Sequence, residues 1–134
     1  MTRMCLDGFH EEFKEDYPMI FGMAYTQHVL SGRWKFLIIW FLKDQARRFH
    51  EIRSFLNDIP QGSLTKQLRE LEENGLISRE VFPEVPPRVE YSLSEKGRDF
   101  LPILDMMEKF GLKHGETQAI HATNTTEKDT DPRV

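Results

Sequence analysis

The apolar positions of this chain fall into helical stripes, and the cleanest is short. Leu64, Leu68 and Leu71 repeat at i, i+4, i+7 within residues 60–74, the spacing of a helix with one face on a core. At roughly 100° per residue, Gly62, Lys66, Arg69 and Glu73 point the opposite way, with Ser63 and Glu70 beside them. The polar face is also graded along its length. Gln61, Ser63, Thr65, Lys66, Gln67 and Arg69 come first; Glu70, Glu72 and Glu73 follow. A helix that enters a DNA groove offers its donors at the N-terminal end, where the dipole also favours phosphate. An ordinary amphipathic surface helix would carry the same stripe, so its neighbours decide between the two.

Upstream, Phe9, Phe13 and Tyr17 stand at four-residue steps and predict a short helix that stops before Pro18. These aromatics either cover the core or make a dimer contact. A second helical segment follows over 19–30 and ends near Ser31-Gly32. In residues 32–44, Trp34, Leu37, Ile38, Phe41 and Leu42 form a stripe, while Phe36, Ile39 and Trp40 fill the other sides. A helix apolar almost all round is buried, so this is the expected central core helix, with its tryptophans used in packing. After Arg47 and Arg48, the residues Phe49, Ile52, Phe55 and Leu56 make a compact apolar face over two turns. Asn57-Asp58-Ile59-Pro60 breaks the chain. Asn57 or Asp58 is a candidate cap for the leucine-striped helix, and proline is accepted in a first helical turn. Two short helices joined by a tight turn read as a helix-turn-helix.

Asn74-Gly75 supplies the stop, since either residue tolerates the left-handed conformation at a helix end. Residues 76–82 read as a strand, 83–87 as a stiff proline-rich tip, and 88–93 as a returning strand in which Val89, Tyr91 and Leu93 alternate with Arg88, Glu90 and Ser92. A hairpin directly after a helix-turn-helix is a wing. A last helix begins with Ser94 or Ser92 as cap and carries Phe100, Leu101, Leu104, Met106, Met107 and Phe110. Pro102 marks either a kink or a later start. This face is wider than a small wing needs, which predicts burial against a second subunit. Residues 115–134 are polar and are expected to be a disordered tail.

Composition narrows the class. The 134 residues suit one domain with extensions: a helix over 1–18, a winged core over 19–114, and the tail. No apolar run is long enough to span a bilayer, and the acidic start carries no export signal, so a cytoplasmic location is expected. The single cysteine, Cys5, excludes an internal disulfide. Net charge is −4, but residues 31–98 hold twelve basic against ten acidic side chains. Any DNA contact should therefore lie in that middle stretch. An enzyme is not indicated. His10, His28, His50, His114 and His121 are scattered without metal-ligand spacing, and there is no phosphate-cradling glycine loop or nucleophile elbow. No cofactor is expected.

The blocks GRWKFLIIWFL, RRFHEIRSFL and LTKQLRELEENGLISREVFPEVPPRVEYSLSEKGRDFLPIL resemble the HxlR family of bacterial winged-helix regulators over about residues 25–111. The signature elements are Gly32-Arg33-Trp34-Lys35, Arg48-Phe49, the LTKQLRELE helix, and a wing with Pro86, Arg88, Val89 and Tyr91. The resemblance implies a mainly α fold with a small β-hairpin wing. It also implies a homodimer whose interface is made by the N- and C-terminal helices, here through Phe9, Phe13, Tyr17, Leu104, Met107 and Phe110, and binding to double-stranded DNA to control transcription. Many members carry a Cys-Pro pair before the core helix, and some sense oxidants with that cysteine. The equivalent position here is Phe21, sixteen residues beyond Cys5, so a redox role for Cys5 would depend on a lowered thiol pKa. The family usually has a small capping hydroxyl where Pro60 stands.

Together these readings assign DNA contacts to Arg47, Arg48, Lys66 and Arg88 on phosphates and to Gln61, Ser63, Thr65 and Gln67 on base edges, with Arg69 a further candidate reader and either Lys66 or Arg69 meeting a base rather than a phosphate. Arg69 alternatively pairs with Glu72 or Glu73, and Arg88 with Glu80 or Glu84 across the wing. A small-molecule effector is also admitted: Phe9, Phe13, Tyr17, Phe21, Trp34 and Trp40 either line a cavity or fill it. The competing class is a winged-helix module used only for protein contacts.

Overall fold

The computed structural model describes residues 17–115. The readings for Cys5, Phe9, Phe13 and the tail beyond 115 lie outside the described residues. The chain divides after Phe100 into two compact units.

The first unit opens with α1, Pro18–Val29, whose proline occupies the first helical position and whose N-cap is Tyr17. It continues with α2, Lys35–Phe41; β1, Arg47–Arg48; α3, Phe49–Phe55; α4, Gln61–Glu73; β2, Ile77–Phe82; β3, Arg88–Leu93; and α5, Glu95–Arg98. The three strands form an antiparallel sheet in the order β1-β3-β2. Leu64, Leu68 and Leu71 of α4 are buried as the stripe requires, together with Ile38, Ile39 and Leu42 at α2 and Ile52 and Leu56 at α3. Each such side chain contributes about 1.5–3 kcal/mol when taken from water. Three helices packed this way and followed by a two-stranded hairpin form a winged helix-turn-helix.

The core helix departs from its expected burial. Trp40 is 42% exposed and stacks on Phe55, with ring centroids 5.8 Å apart. Lys35, the one charged residue within the apolar run, is buried instead.

The turn between α3 and α4 also works differently from the expectation. Asn57 and Asp58 do not cap α4. Both have φ 57°, and they close α3: the Asp58 N–H donates to the Arg53 carbonyl at 2.9 Å and the Asn57 N–H to Ser54 at 3.1 Å. This crossed pair is the usual helix ending with a left-handed residue. The Arg53 guanidinium straps the turn by donating to the Ile59 carbonyl at 2.9 Å. Pro60 is left as N-cap of α4, without a side-chain hydrogen bond.

The other end of α4 closes as the sequence predicts. Gly75 has φ 76°, its N–H donates to the Glu72 carbonyl, and the Leu76 N–H donates to Leu71, both at 3.0 Å. At the base of the wing, Ile77 and Leu93 are registered opposite one another and buried. Towards the tip the hairpin leaves the core, and Val81 and Val85 are exposed. Strand β1 was not expected. Two residues give no periodic signal, and Arg47-Arg48 reads locally as the start of a helix. Ser94 caps α5, accepting from the Gly97 N–H at 3.0 Å.

The second unit contains α6, Leu101–His114. Pro102 lies in its first turn, so the helix starts late rather than kinking. Leu104 is buried in a single copy, whereas Ile103, Met106, Met107, Phe110 and Leu112 are exposed. No helix among the described residues is long and apolar enough to cross a membrane.

Candidate nucleic-acid interface

Helix α4 presents Gln61, Gly62 and Ser63 in its first turn, and Lys66 and Arg69 further along, to solvent. Lys66 and Arg69, three residues apart, lie on adjacent turns of one face. Neither is in an ion pair among the described residues. Arg69 thus does not adopt the alternative pairing with Glu72 or Glu73. An arginine placed before its glutamate has the weaker of the two orientations along a helix. With Pro60 at the cap, no side chain accepts from the first N–H groups of the helix. Those donors therefore remain open at the positive end of the dipole. Thr65 is half-buried, and its hydroxyl donates back to the Gln61 carbonyl at 2.9 Å.

Gln67 is placed otherwise than expected. Its Oε1 is buried with no hydrogen-bond partner among the described residues, and it lies where a side chain on Gly32 would begin. The carboxamide is turned into the molecule, against the segment joining α1 to α2, and is not offered to a groove. On the helical wheel it flanks the leucine stripe rather than opposing it, and packing claims it. Glu70 is likewise not a plain solvent-facing acid: Lys35 Nζ holds its Oε1 at 2.8 Å.

Two of the four arginines assigned to DNA are engaged within the chain. Arg47 is half-buried, with its guanidinium carbon 4.1 Å from the centre of the Phe41 ring and its Nε donating to the Phe41 carbonyl at 3.4 Å. Arg88 is gripped by two carboxylates. Its Nε and Nη2 reach Glu84 Oε2 at 3.0 and 2.9 Å, and its Nη1 reaches Glu90 Oε2 at 2.7 Å. It also lies over the Phe82 ring at 3.8 Å. Glu84 was anticipated as a partner; Glu90 was not. Arg48 is exposed, its guanidinium is in no ion pair among the described residues, and its backbone N–H donates to Glu51 Oε1 at 2.8 Å.

Arg79 was missed by the sequence reading. It is exposed on β2, opposite Tyr91, with no ion pair among the described residues. Strand β2 reads Ile-Ser-Arg-Glu-Val-Phe, and only the register with β3 shows which of its two charged residues meets an acidic row. Glu80 is registered with Glu90, whereas Arg79 shares the opposite face with Val81. Among the expected dimer residues, Tyr17 is about half exposed, Met107 and Phe110 are exposed, and Leu104 is buried. Among the described residues no cluster of His, Cys, Asp or Glu could hold a metal ion.

The fold and this polar helix face define a winged-helix regulator, and comparison with known proteins gives the family. Residues 29–119 match the model of the HxlR-like helix-turn-helix family. An HTH-type transcriptional regulator of Methanothermobacter thermautotrophicus is 50% identical over 121 residues, covering 90% of this chain and 89% of that one. The regulator YybR of Bacillus subtilis is 39% identical over 120 residues, covering 88% and 96%. Among solved structures, the redox regulator HypR in its reduced form superposes with a TM-score of 0.69 at 40% identity, covering 73% of this chain and 97% of that one. The chain belongs to the HxlR-like helix-turn-helix family, and it is a transcriptional regulator rather than an enzyme.

Proposed function

We propose that the protein acts as a homodimer that binds a palindromic or near-palindromic operator in double-stranded DNA, with α4 in the major groove and the wing beside it. The observation that carries this reading is Lys66 and Arg69 on the solvent face of α4, in no ion pair among the described residues, next to a helix start without a side-chain cap. Cations there meet phosphates, and arginine also fits the guanine edge. Gln61 and Ser63 supply neutral donors and acceptors for base reading. Arg48 and Arg79 add cations outside the helix. A two-fold dimer would set two such helices in successive major grooves, about 34 Å apart. The exposed Met107 and Phe110 of α6 and Met19 and Met23 of α1 supply apolar surface for self-association.

Selection of bound sequences from random duplexes tests the reading. Paired half-sites with centres separated by one or two helical turns are expected. A winged-helix module for protein contacts is the second reading, and the acidic surround of Arg88 on the wing favours it. Enrichment of no sequence, with affinity that does not respond to salt, would remove the first reading in favour of the second.

A further inference from the structure

Lys35 is the one charged residue buried among the described residues, at 2% exposure. It is also the first residue of α2, where the helix dipole disfavours a cation. Its ammonium reaches across to Glu70 of α4 at 2.8 Å. Replacing both partners of a buried ion pair by apolar side chains is often neutral for stability, and here the Glu70 side chain is 37% exposed, so its carboxylate stays solvated when Lys35 is removed. Stability alone therefore gives no reason for a charge at this position. Three residues before Glu70, and on the same flank of α4, Gln67 sets its buried Oε1 against Gly32. Gly32 has φ 109°, and a Cβ there would meet Gln67 Oε1 at 2.8 Å. Residues 32 and 35 thus both meet one flank of α4, Lys35 through an ion pair and Gly32 through close packing of the Gln67 side chain.

The leucine stripe does not do the same work. Three similar branched side chains fix how deep α4 sits but tolerate some rotation about its axis. With side chains included, a helix has a radius of about 5–6 Å, so a roll of about 20° moves its outer tips by about 2 Å. Hydrogen bonds accept a spread of only about 0.5 Å. A small roll would therefore leave Lys66 and Arg69 near phosphates yet spoil contacts with base edges.

We propose that Lys35, acting through Glu70, and Gln67, seated on Gly32, are positioning residues that fix the roll of α4 and so set the specificity of DNA reading. Neither touches DNA. The proposal rests on the DNA-binding function above, and the test separates the two. The full chain, wild type and variant, is titrated against the duplex selected by the wild type and against a random duplex, at two salt concentrations, with thermal melting alongside. Lys35→Met, which leaves a Glu70 carboxylate that water reaches, should melt close to wild type and bind random duplex within about twofold of it. Its affinity for the selected site should fall about tenfold or more, the scale of one lost base contact. Lys35→Arg should restore most of that loss. Gln67→Ala, which removes the side chain packed on Gly32, should shift the specific-to-random ratio in the same direction, and it carries the test if Lys35→Met does not fold. A ratio unchanged in the variants, or equal losses on both duplexes, overturns the proposal. A wild type that prefers no sequence removes the DNA reading, and this proposal with it.

Discussion

Arg69 on α4 and Arg88 on the wing look alike in the sequence, since each has glutamates within a few residues. The folded chain treats them in opposite ways. Around Arg69, Glu70 is drawn aside by Lys35, while Glu72 and Glu73 follow the arginine in the less favourable helical orientation. The guanidinium is left to solvent. Around Arg88, the proline-rich tip brings back Glu84, and the strand itself places Glu90 on the same face two residues on. The guanidinium is enclosed. A count of basic residues thus overstates the cationic surface of the wing and describes that of the helix fairly. What separates them is whether the local geometry returns a carboxylate to the cation.

The largest effect in this contrast should be on stability. Leu68→Ala, beneath the exposed face of α4, should lower unfolding free energy by about 2–5 kcal/mol, measured by urea titration. Val85→Ala at the open tip should change it by no more than about 0.5 kcal/mol. Comparable losses from the two would mean that the tip packs against something in solution. Next, the Lys66→Ala and Arg69→Ala pair should weaken DNA binding by about tenfold or more and lower the salt slope by about 2. A slope equal to wild type would show that these cations meet no phosphate. Glu84→Gln with Glu90→Gln should release Arg88 and tighten binding to random duplex a few-fold, with a steeper salt dependence. If nothing changes, the wing lies off the duplex. The smallest effect is expected of Arg88→Ala: DNA affinity within about twofold of wild type and a stability loss of at most about 1 kcal/mol. A tenfold drop in affinity would show that Arg88 leaves its carboxylates to bind, and the contrast would fail.

Features encoded within one or two turns of chain were legible. The stripe Leu64, Leu68, Leu71 is buried, Asn74-Gly75 ends α4, and the helix-turn-helix and wing stand where their periodicities place them. Features settled by distant partners were not. The partner of Lys35 is thirty-five residues away. The seat of Gln67 is a glycine before α2. Strand β1 exists only through pairing with β3. Asn57 and Asp58 failed for a different reason. Both residue types suit a helix start and a left-handed helix end alike, and the choice fell to the preceding helix because Ile59 and Pro60 stand between them and Gln61. Exposure on the candidate face was likewise half legible: Gln61, Ser63, Lys66 and Arg69 are exposed, while Arg47, Gln67 and Arg88 are engaged inside the chain.

Leu76 joins elements that are described separately above. Its N–H closes α4 on Leu71, its carbonyl accepts the Ser94 N–H at 3.1 Å, and its side chain is wholly buried. The Ser94 hydroxyl donates to the adjacent Gly75 carbonyl. The end of the helix and both roots of the hairpin are therefore riveted at one point. A nucleic acid gripped by the two parts would be measured against a ruler of constant length. Spacer changes inside a half-site would then have to be absorbed by twisting or bending of the duplex rather than by flexing of the protein.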